Sequence, residues 1–184
     1  MQLLNYLQNC LLIKIKMEVP IMVANEIPSK EEKLENVESL LTMLKEKFGD
    51  AILDSKIIKR RLFIDVTTES FRGILKFLDE SFEICFLHTI TAVDTTSEFE
   101  LLYHIFIGEK KVNLNLRIKI SRDSPKVPTI TDIMPAANVY EREVHDLFGI
   151  VFEGHPHLER LILPEDWPDG VYPLRKDYKM GGKK

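Results

Sequence analysis

The stretch "VNLNLRIKI", Val112 to Ile120, decides the fold. Val112, Leu114, Leu116, Ile118 and Ile120 alternate with Asn113, Asn115, Arg117 and Lys119. Neighbouring side chains of a strand point to opposite faces, so this segment has one apolar and one polar face, as in an antiparallel sheet covered on one side. Gly108-Glu109-Lys110 turns the chain just before it, and Phe99 to Ile107 reads as a strand leading into that turn. Further upstream, Phe82 to Val93 is rich in β-formers. Leu62, Ile64 and Val66 alternate with Arg61, Phe63 and Asp65, and Ala51 to Leu53 begins a short strand.

The cover is helical. Ser29-Lys30-Glu31-Glu32 reads as a capping box, followed by Leu34, Val37, Leu41, Leu44 and Phe48 at helical spacing and a stop at Gly49-Asp50. A second stripe, Phe71, Ile74, Leu75 and Leu78, has Thr67 or Thr68 as its expected cap. Helices on the apolar face of a mainly antiparallel sheet make a two-layer α+β domain.

Composition bounds the function. The chain has 184 residues, 45% hydrophobic and 29% charged, with a net charge of -4, which argues against a nucleic-acid binder. The one basic cluster, Lys59-Arg60-Arg61, reads as a solvated strand entrance. Two distant cysteines, Cys10 and Cys85, supply neither a disulfide framework nor a Cys-ligated cluster. The eight glycines form no GxGxxG or GxxxxGK[ST] loop, and CxxC, HExxH and GxSxG are absent from the sequence. The apolar run Leu11 to Ile13 is broken by Lys14 and Lys16 and is too short to span a bilayer. Met17 and Met22 are alternative starts, which makes the preceding stretch a candidate extension.

The character changes at Ser121. Pro125 and Pro128 punctuate a loop, and Pro135 opens a charged helix from Ala136 to Phe148 that Gly149 ends. On that helix Ala136, Ala137, Tyr140, Val144, Leu147 and Phe148 share an apolar stripe. Glu141 and Glu143 lie on opposite edges of it, badly placed to converge on one substrate. Arg142 and Asp146 fall on the far face at i, i+4 and are expected to pair, and Glu141 is within reach of His145. The pattern fits a charged surface helix with one buried face, a docking helix, or a catalytic helix. His155-Pro156-His157 is either a Pro-containing turn or, completed by Glu153, His145 or Asp146, a zinc site for a stand-alone metal-dependent enzyme. His88 and His104 read as strand residues with local hydrogen bonds. Beyond Leu163, Pro164, Pro168, Gly170 and Pro173 forbid a regular element. Trp167, Val171, Tyr172, Leu174 and Tyr178 are costly to leave in water, so an extended arm ordered against something is expected.

Several anchors recur here in fixed order: Glu141-Arg142-Glu143, Asp146-Leu147-Phe148-Gly149-Ile150, Gly154-His155-Pro156, Arg160, Trp167 and Pro173-Leu174-Arg175-Lys176-Asp177-Tyr178. Together they resemble the signature region of the thirty-kilodalton subunit family of respiratory complex I, a constituent of NADH:quinone oxidoreductases. That family has relatives in membrane-bound nickel–iron hydrogenases and archaeal complex I-like reductases. His145 stands where the family usually has an aromatic, and Glu159 where it usually has a base.

The resemblance implies a non-catalytic scaffold subunit at the cytoplasmic face of the membrane, without a membrane span or a cofactor of its own. Its implied partners are a hydrogenase-like large subunit and a small iron–sulfur subunit, with iron–sulfur clusters expected in the partners. It implies an interface drawn from Tyr140, Glu141, Arg142, Glu143 and Asp146 on the helix, His155 and Arg160 in the loop, and Trp167, Tyr172, Arg175, Lys176, Asp177 and Tyr178 on the arm. The chain then divides into an N-terminal extension, expected to be flexible (1–28), an α+β core domain (29–120), a signature helix and hairpin (121–163) and an extended partner-binding arm (164–184).

Overall fold

The structure is a computed structural model that describes residues 30–179. The expectations for residues 1–28 and for the Ser29 cap lie outside the described residues. Helix α1, Lys30–Phe48, runs through a 3-10 turn at Gly49–Ala51 into strand β1, Ile52–Ile58. β2 (Arg61–Val66), helix α2 (Phe71–Ser81), β3 (Cys85–Asp94), β4 (Glu98–Ile107) and β5 (Val112–Ser121) complete the first part. The five strands form one sheet in the order β1-β2-β5-β4-β3, antiparallel throughout except where β2 pairs with β5 in parallel. The basic cluster Lys59-Arg60-Arg61 spans the β1–β2 turn, where Lys59 takes a positive φ of 58°.

The alternation at Val112–Ile120 sets which face is covered. Val112, Leu114, Leu116, Ile118 and Ile120 are buried beside Leu62 and Ile64 of β2 and Leu101, Tyr103, Ile105 and Ile107 of β4. Val37, Leu40 and Leu44 of α1 and Phe71, Ile74, Leu75 and Leu78 of α2 close this face into one core. α1 is turned slightly from its expected stripe: Leu40 is fully buried and Leu34 largely exposed. Neither Thr67 nor Thr68 caps α2. Ser70 occupies the cap position without a side-chain bond, and the Thr68 hydroxyl donates across to the Lys119 carbonyl.

The opposite face mixes paired polar groups with apolar side chains, among them Phe86 stacked on Phe106. The Arg117 guanidinium grips both oxygens of Asp65 and reaches Glu100 at 3.2 Å, and Lys119 pairs with Glu98 at 2.8 Å. His104 lies between the Thr91 hydroxyl (3.0 Å) and the Asn115 side-chain oxygen (2.6 Å), the local bonding expected of a strand histidine.

After β5 the chain forms β6 (Lys126–Pro128), helix α3 (Ala137–Phe148) and β7 (Val151–Glu153). β6 and β7 pair in parallel with α3 between them, rather than as a hairpin, because an intervening helix returns the chain in the same direction. α3 packs Val144 and Phe148 into the core, with Phe148 edge-on to Phe99. Gly149 ends α3 in the left-handed conformation, φ 72°. Residues 154–179 contain no helix or strand, as the prolines dictate.

Candidate functional site

α3 is the centre of the charged cluster, and each of its acids has a separate fate. Glu141 is fully buried. Its Oε1 accepts the Ile130 amide at 2.8 Å and its Oε2 accepts the Thr129 hydroxyl. The expected contact with His145 is not made: His145 bonds the Ile150 carbonyl through Nδ1 at 2.8 Å, and Glu141 faces the other way, into the Thr129 loop. Burial lifts the Glu141 carboxyl to about 7, against the opposing pull of the Thr129 and Ile130 donors.

Asp146 behaves oppositely. One oxygen, Oδ2, accepts three consecutive amides, Leu161 at 3.2 Å, Ile162 at 2.8 Å and Leu163 at 2.7 Å. Burial pushes this carboxyl up, but the three amides outweigh it and hold it below the usual aspartate range. Arg142, one turn earlier, donates to the carbonyls of Glu159 (3.1 Å) and Arg160 (2.7 Å). The expected Arg142–Asp146 pair therefore does not form. Each side chain finds complementary backbone groups in the 159–163 loop, the arginine the carbonyls and the aspartate the amides.

Glu143 is the remaining acid. It is half-buried and lines a groove between α3 and β3. Tyr140, also half-buried, packs against the core. Ala136 is exposed, so the apolar stripe is narrower than the spacing suggested, with a buried glutamate beside it.

His155 sits against Glu141, its Nε2 4.0 Å from Oε2, with the imidazole shut off from solvent. Nε2 faces the Asn138 carbonyl at 3.1 Å and so carries the proton, while Nδ1 accepts the His157 amide at 3.0 Å. Burial holds this ring below the usual histidine range. With both nitrogens engaged by backbone, His155 has no lone pair free for a metal. The zinc reading of His155-Pro156-His157 gives way to the turn. Among the described residues no group of three His, Cys, Asp or Glu side chains is arranged to hold a metal ion.

The arm is ordered against its own chain. Arg160 donates to the carbonyls of Pro164 (3.2 Å) and Trp167 (2.6 Å) and pairs with Asp169. Trp167 donates to the Val171 carbonyl at 2.8 Å, and its ring lies 6.4 Å from that of Tyr178. Tyr172 fills the space beside Gly149, where any Cβ would strike its ring. Arg175 donates to the Phe148 carbonyl at 2.7 Å, with its guanidinium 4.4 Å from the Tyr172 ring and 5.2 Å from that of Phe99. The Leu174 amide donates to the Leu147 carbonyl. The Lys176 amide donates to Asp94 at 2.9 Å, and Asp177 pairs with Arg122 at 2.8 Å.

Sequence reasoning missed Thr129, Asp94 and Arg122. Asp94 had a signal: it continues the covered register of β3 after Ile90 and Ala92, where an acid must find partners. Burial raises its carboxyl, and the amides of Lys176 and Thr96 together with Arg122 bring it below its ordinary value.

Fold and site together define a two-layer α+β domain whose charged helix and C-terminal arm buttress one another. The family described as "Respiratory-chain NADH dehydrogenase, 30 Kd subunit" matches residues 64–184, and the chain belongs to it. It is 35% identical over 150 residues to the C subunit of NADH-quinone oxidoreductase from Roseiflexus castenholzii, covering 79% of this chain and 85% of that one. It is 38% identical over 146 residues to the same subunit from Ruegeria pomeroyi, covering 77% and 72%. Among solved structures it is similar to a chain of the membrane-bound sulfane sulfur reductase, an archaeal respiratory membrane complex, with a TM-score of 0.69 and 36% identity over 78% of this chain and 85% of that chain. The trypsin-resistant fragment of Nqo5 is also similar, with a TM-score of 0.56 and 28% identity over 65% of this chain and 98% of that one. No helix among the described residues is long and apolar enough to cross a membrane.

Proposed function

We propose that this chain is a non-catalytic scaffold subunit of the peripheral arm of a membrane-bound, complex I-like oxidoreductase. It docks on the hydrogenase-like large subunit beside the small iron–sulfur subunit, at the cytoplasmic face, and the iron–sulfur clusters lie in those partners. One observation carries the reading: the strongest polar side chains of the signature region are spent on the chain's own backbone. Arg142, Asp146, Arg160 and Arg175 together hold eight backbone groups of the loop, the arm and the end of α3. Such bracing gives an irregular segment a fixed shape before it meets a partner, which lowers the ordering cost of association. Family membership and the similarity to respiratory-complex subunits support the same role. The electron donor, and an acceptor among quinone, protons and sulfur compounds, are then properties of the partner subunits.

The test is purification from membranes through a tag on this chain. The expected result is stoichiometric recovery of a hydrogenase-like large subunit and a cluster-bearing small subunit. Truncation after Leu163 is expected to release both while circular dichroism still reports a folded core. Recovery of the full-length chain alone, as a stable monomer, would overturn the proposal.

A further inference from the structure

Glu141 is fully buried, and the Thr129 hydroxyl that meets it belongs to a longer chain of polar groups. Three groups surround the Thr129 oxygen. The Thr131 amide donates to it at 3.2 Å, the Thr131 hydroxyl lies 3.0 Å away, and Glu141 Oε2 is the third neighbour. A hydroxyl has one proton to give and two lone pairs to fill. The amide fills one lone pair. One proton and one lone pair remain for Glu141 and Thr131, so the chain has two complete arrangements. In the first, Thr129 donates to the Glu141 carboxylate and accepts from the Thr131 hydroxyl. In the second, a protonated Oε2 donates to Thr129, which donates onward to Thr131. The carboxyl proton belongs on Oε2, because Oε1 already accepts the Ile130 amide at 2.8 Å.

The surroundings leave both charge states of Glu141 open. Arg72 of α2 is engaged by Asp132, with bonds at 3.0 and 2.8 Å, and the two act on Glu141 with opposite signs. After β7, His155 brings Nε2 to 4.0 Å from Oε2 but directs its proton to the Asn138 carbonyl. From β4, the Tyr103 hydroxyl is buried without a partner among the described residues, and burial together with Glu141 keeps its proton on. On α3 itself, Arg142 and His145 are bound to the carbonyls of Glu159, Arg160 and Ile150. Burial outweighs the donors and lifts the Glu141 carboxyl to about 7. Along the chain of hydroxyls exposure rises outward: Glu141 and Thr129 are buried, and Thr131 is only half-buried.

We propose that Glu141, Thr129 and Thr131 form a proton-binding site, in which one proton passes between solvent and the buried carboxyl through the two hydroxyls and the direction of the hydrogen-bond chain reverses with the charge of Glu141. On uptake, a proton from water adds to the Thr131 oxygen, the Thr131 hydroxyl proton moves to Thr129, and the Thr129 proton moves to Glu141 Oε2. Each hydroxyl gives one proton and receives one, so only O–H bonds change and the carboxyl alone gains. Both arrangements use the same atoms, so the joint between α3 and the Thr129 loop takes up or releases its proton without opening. Every group belongs to this chain, and the site is independent of the assembly proposed above.

The two threonines then act on the titration with opposite signs. Thr129→Val removes a donor to the carboxylate, and a bond to the charged form is stronger than one to the neutral form, so the midpoint rises. Thr131→Val leaves the Thr129 proton without an acceptor in the second arrangement and only a lone pair unfilled in the first; the buried unpaired donor costs more, so the midpoint falls. The experiment is a carboxyl-carbon NMR titration of the purified full-length chain, labelled at its glutamates, from pH 4 to 9, with Glu141→Gln to assign the resonance and thermal melts to confirm folding. The wild-type midpoint is expected at about 7. Thr129→Val should raise it by about one unit or more, Thr131→Val should lower it by about half a unit, and Thr129→Ser, which keeps the hydroxyl, should stay within about 0.3 unit of wild type. If Thr129→Val does not fold, Thr131→Val decides alone. A Glu141 resonance that titrates near the ordinary glutamate value of 4.5 would overturn the site. Shifts of the same sign in the two valine variants, or a Thr131→Val midpoint equal to or above wild type, would overturn the reversible chain.

Discussion

Replacing Asp146 by alanine removes the single oxygen on which three successive amides converge. Two of those bonds, to Ile162 at 2.8 Å and Leu163 at 2.7 Å, have the length of charge-assisted hydrogen bonds, and the third, to Leu161 at 3.2 Å, is weaker. A hydrogen bond to a charged group contributes about 1.5–3 kcal/mol, but these share one acceptor and are not additive, and the freed loop lies near enough to water to recover part of the loss. The expected destabilisation is about 2–4 kcal/mol for Asp146→Ala. For Asp146→Asn, which keeps an acceptor but no charge, about half of that is expected.

The assay is urea unfolding of the purified chain, with amide hydrogen exchange read across residues 158–165. Exchange at Leu161, Ile162 and Leu163 should rise in both variants, more in the alanine. The pH dependence gives a second check. Asp146 has a depressed folded-state value, so its contribution is present above the unfolded aspartate value of about 3.9 and is lost as pH falls through the folded one. The gap between wild type and Asp146→Asn should therefore narrow below about pH 4. Unfolding free energies within about 0.5 kcal/mol of wild type, with unchanged exchange in the loop, would refute the view that this carboxylate holds the loop in place.

Glu141 has the opposite sign: its folded value is raised to about 7 from 4.5, so stability is highest below the unfolded value and falls as pH rises toward 7, by about 3 kcal/mol at most. Glu141→Gln should remove that slope in a series of thermal melts from pH 4 to 8. Gly149→Ala combines a strained left-handed φ of 72° with a collision against the Tyr172 ring and should cost about 2–4 kcal/mol. Gly149→Ala combined with Tyr172→Ala should recover the steric part, measured as less than additive loss in urea unfolding. Tyr103 is fully buried with no partner for its hydroxyl, so Tyr103→Phe should leave the melting temperature unchanged or raise it, with a gain of up to about 1 kcal/mol.

The sheet and its covering helices were legible because each element buries residues at the period its geometry imposes. The alternation from Val112 to Ile120 fixed which face of β5 is covered, and β2, β4 and β3 follow the same register. α3 was legible as a helix and only partly as a surface. A helical wheel placed Arg142 and Asp146 together and made them an ion pair. Loop backbone, which a wheel does not contain, offers carbonyls to one and amides to the other at shorter range. Glu141 followed the same logic: its position on the wheel was read as the rim of the apolar stripe, and only the return of the Thr129–Ile130 backbone makes that position an interior one. The arm's composition announced that Trp167, Tyr172 and Tyr178 needed cover. That the cover includes Gly149, Phe148 and Asp94 depends on contacts across as many as 82 positions of sequence, for which local periodicity carries no information.

Two carboxylates on one helix, five positions apart, move in opposite directions for a reason that bears on assembly. Glu141 has two donors in a fully enclosed site, too few to offset lost hydration, so its carboxyl is raised to about 7. Asp146 has three amides, keeps slight contact with solvent and stays charged far below neutrality. Acidification thus relieves the joint between α3 and the Thr129 loop first and weakens the hold on the 159–163 loop only much later. The grip on that loop and on the arm through Asp146 and Asp94 persists through the neutral range, since both carboxyls are held below their ordinary value.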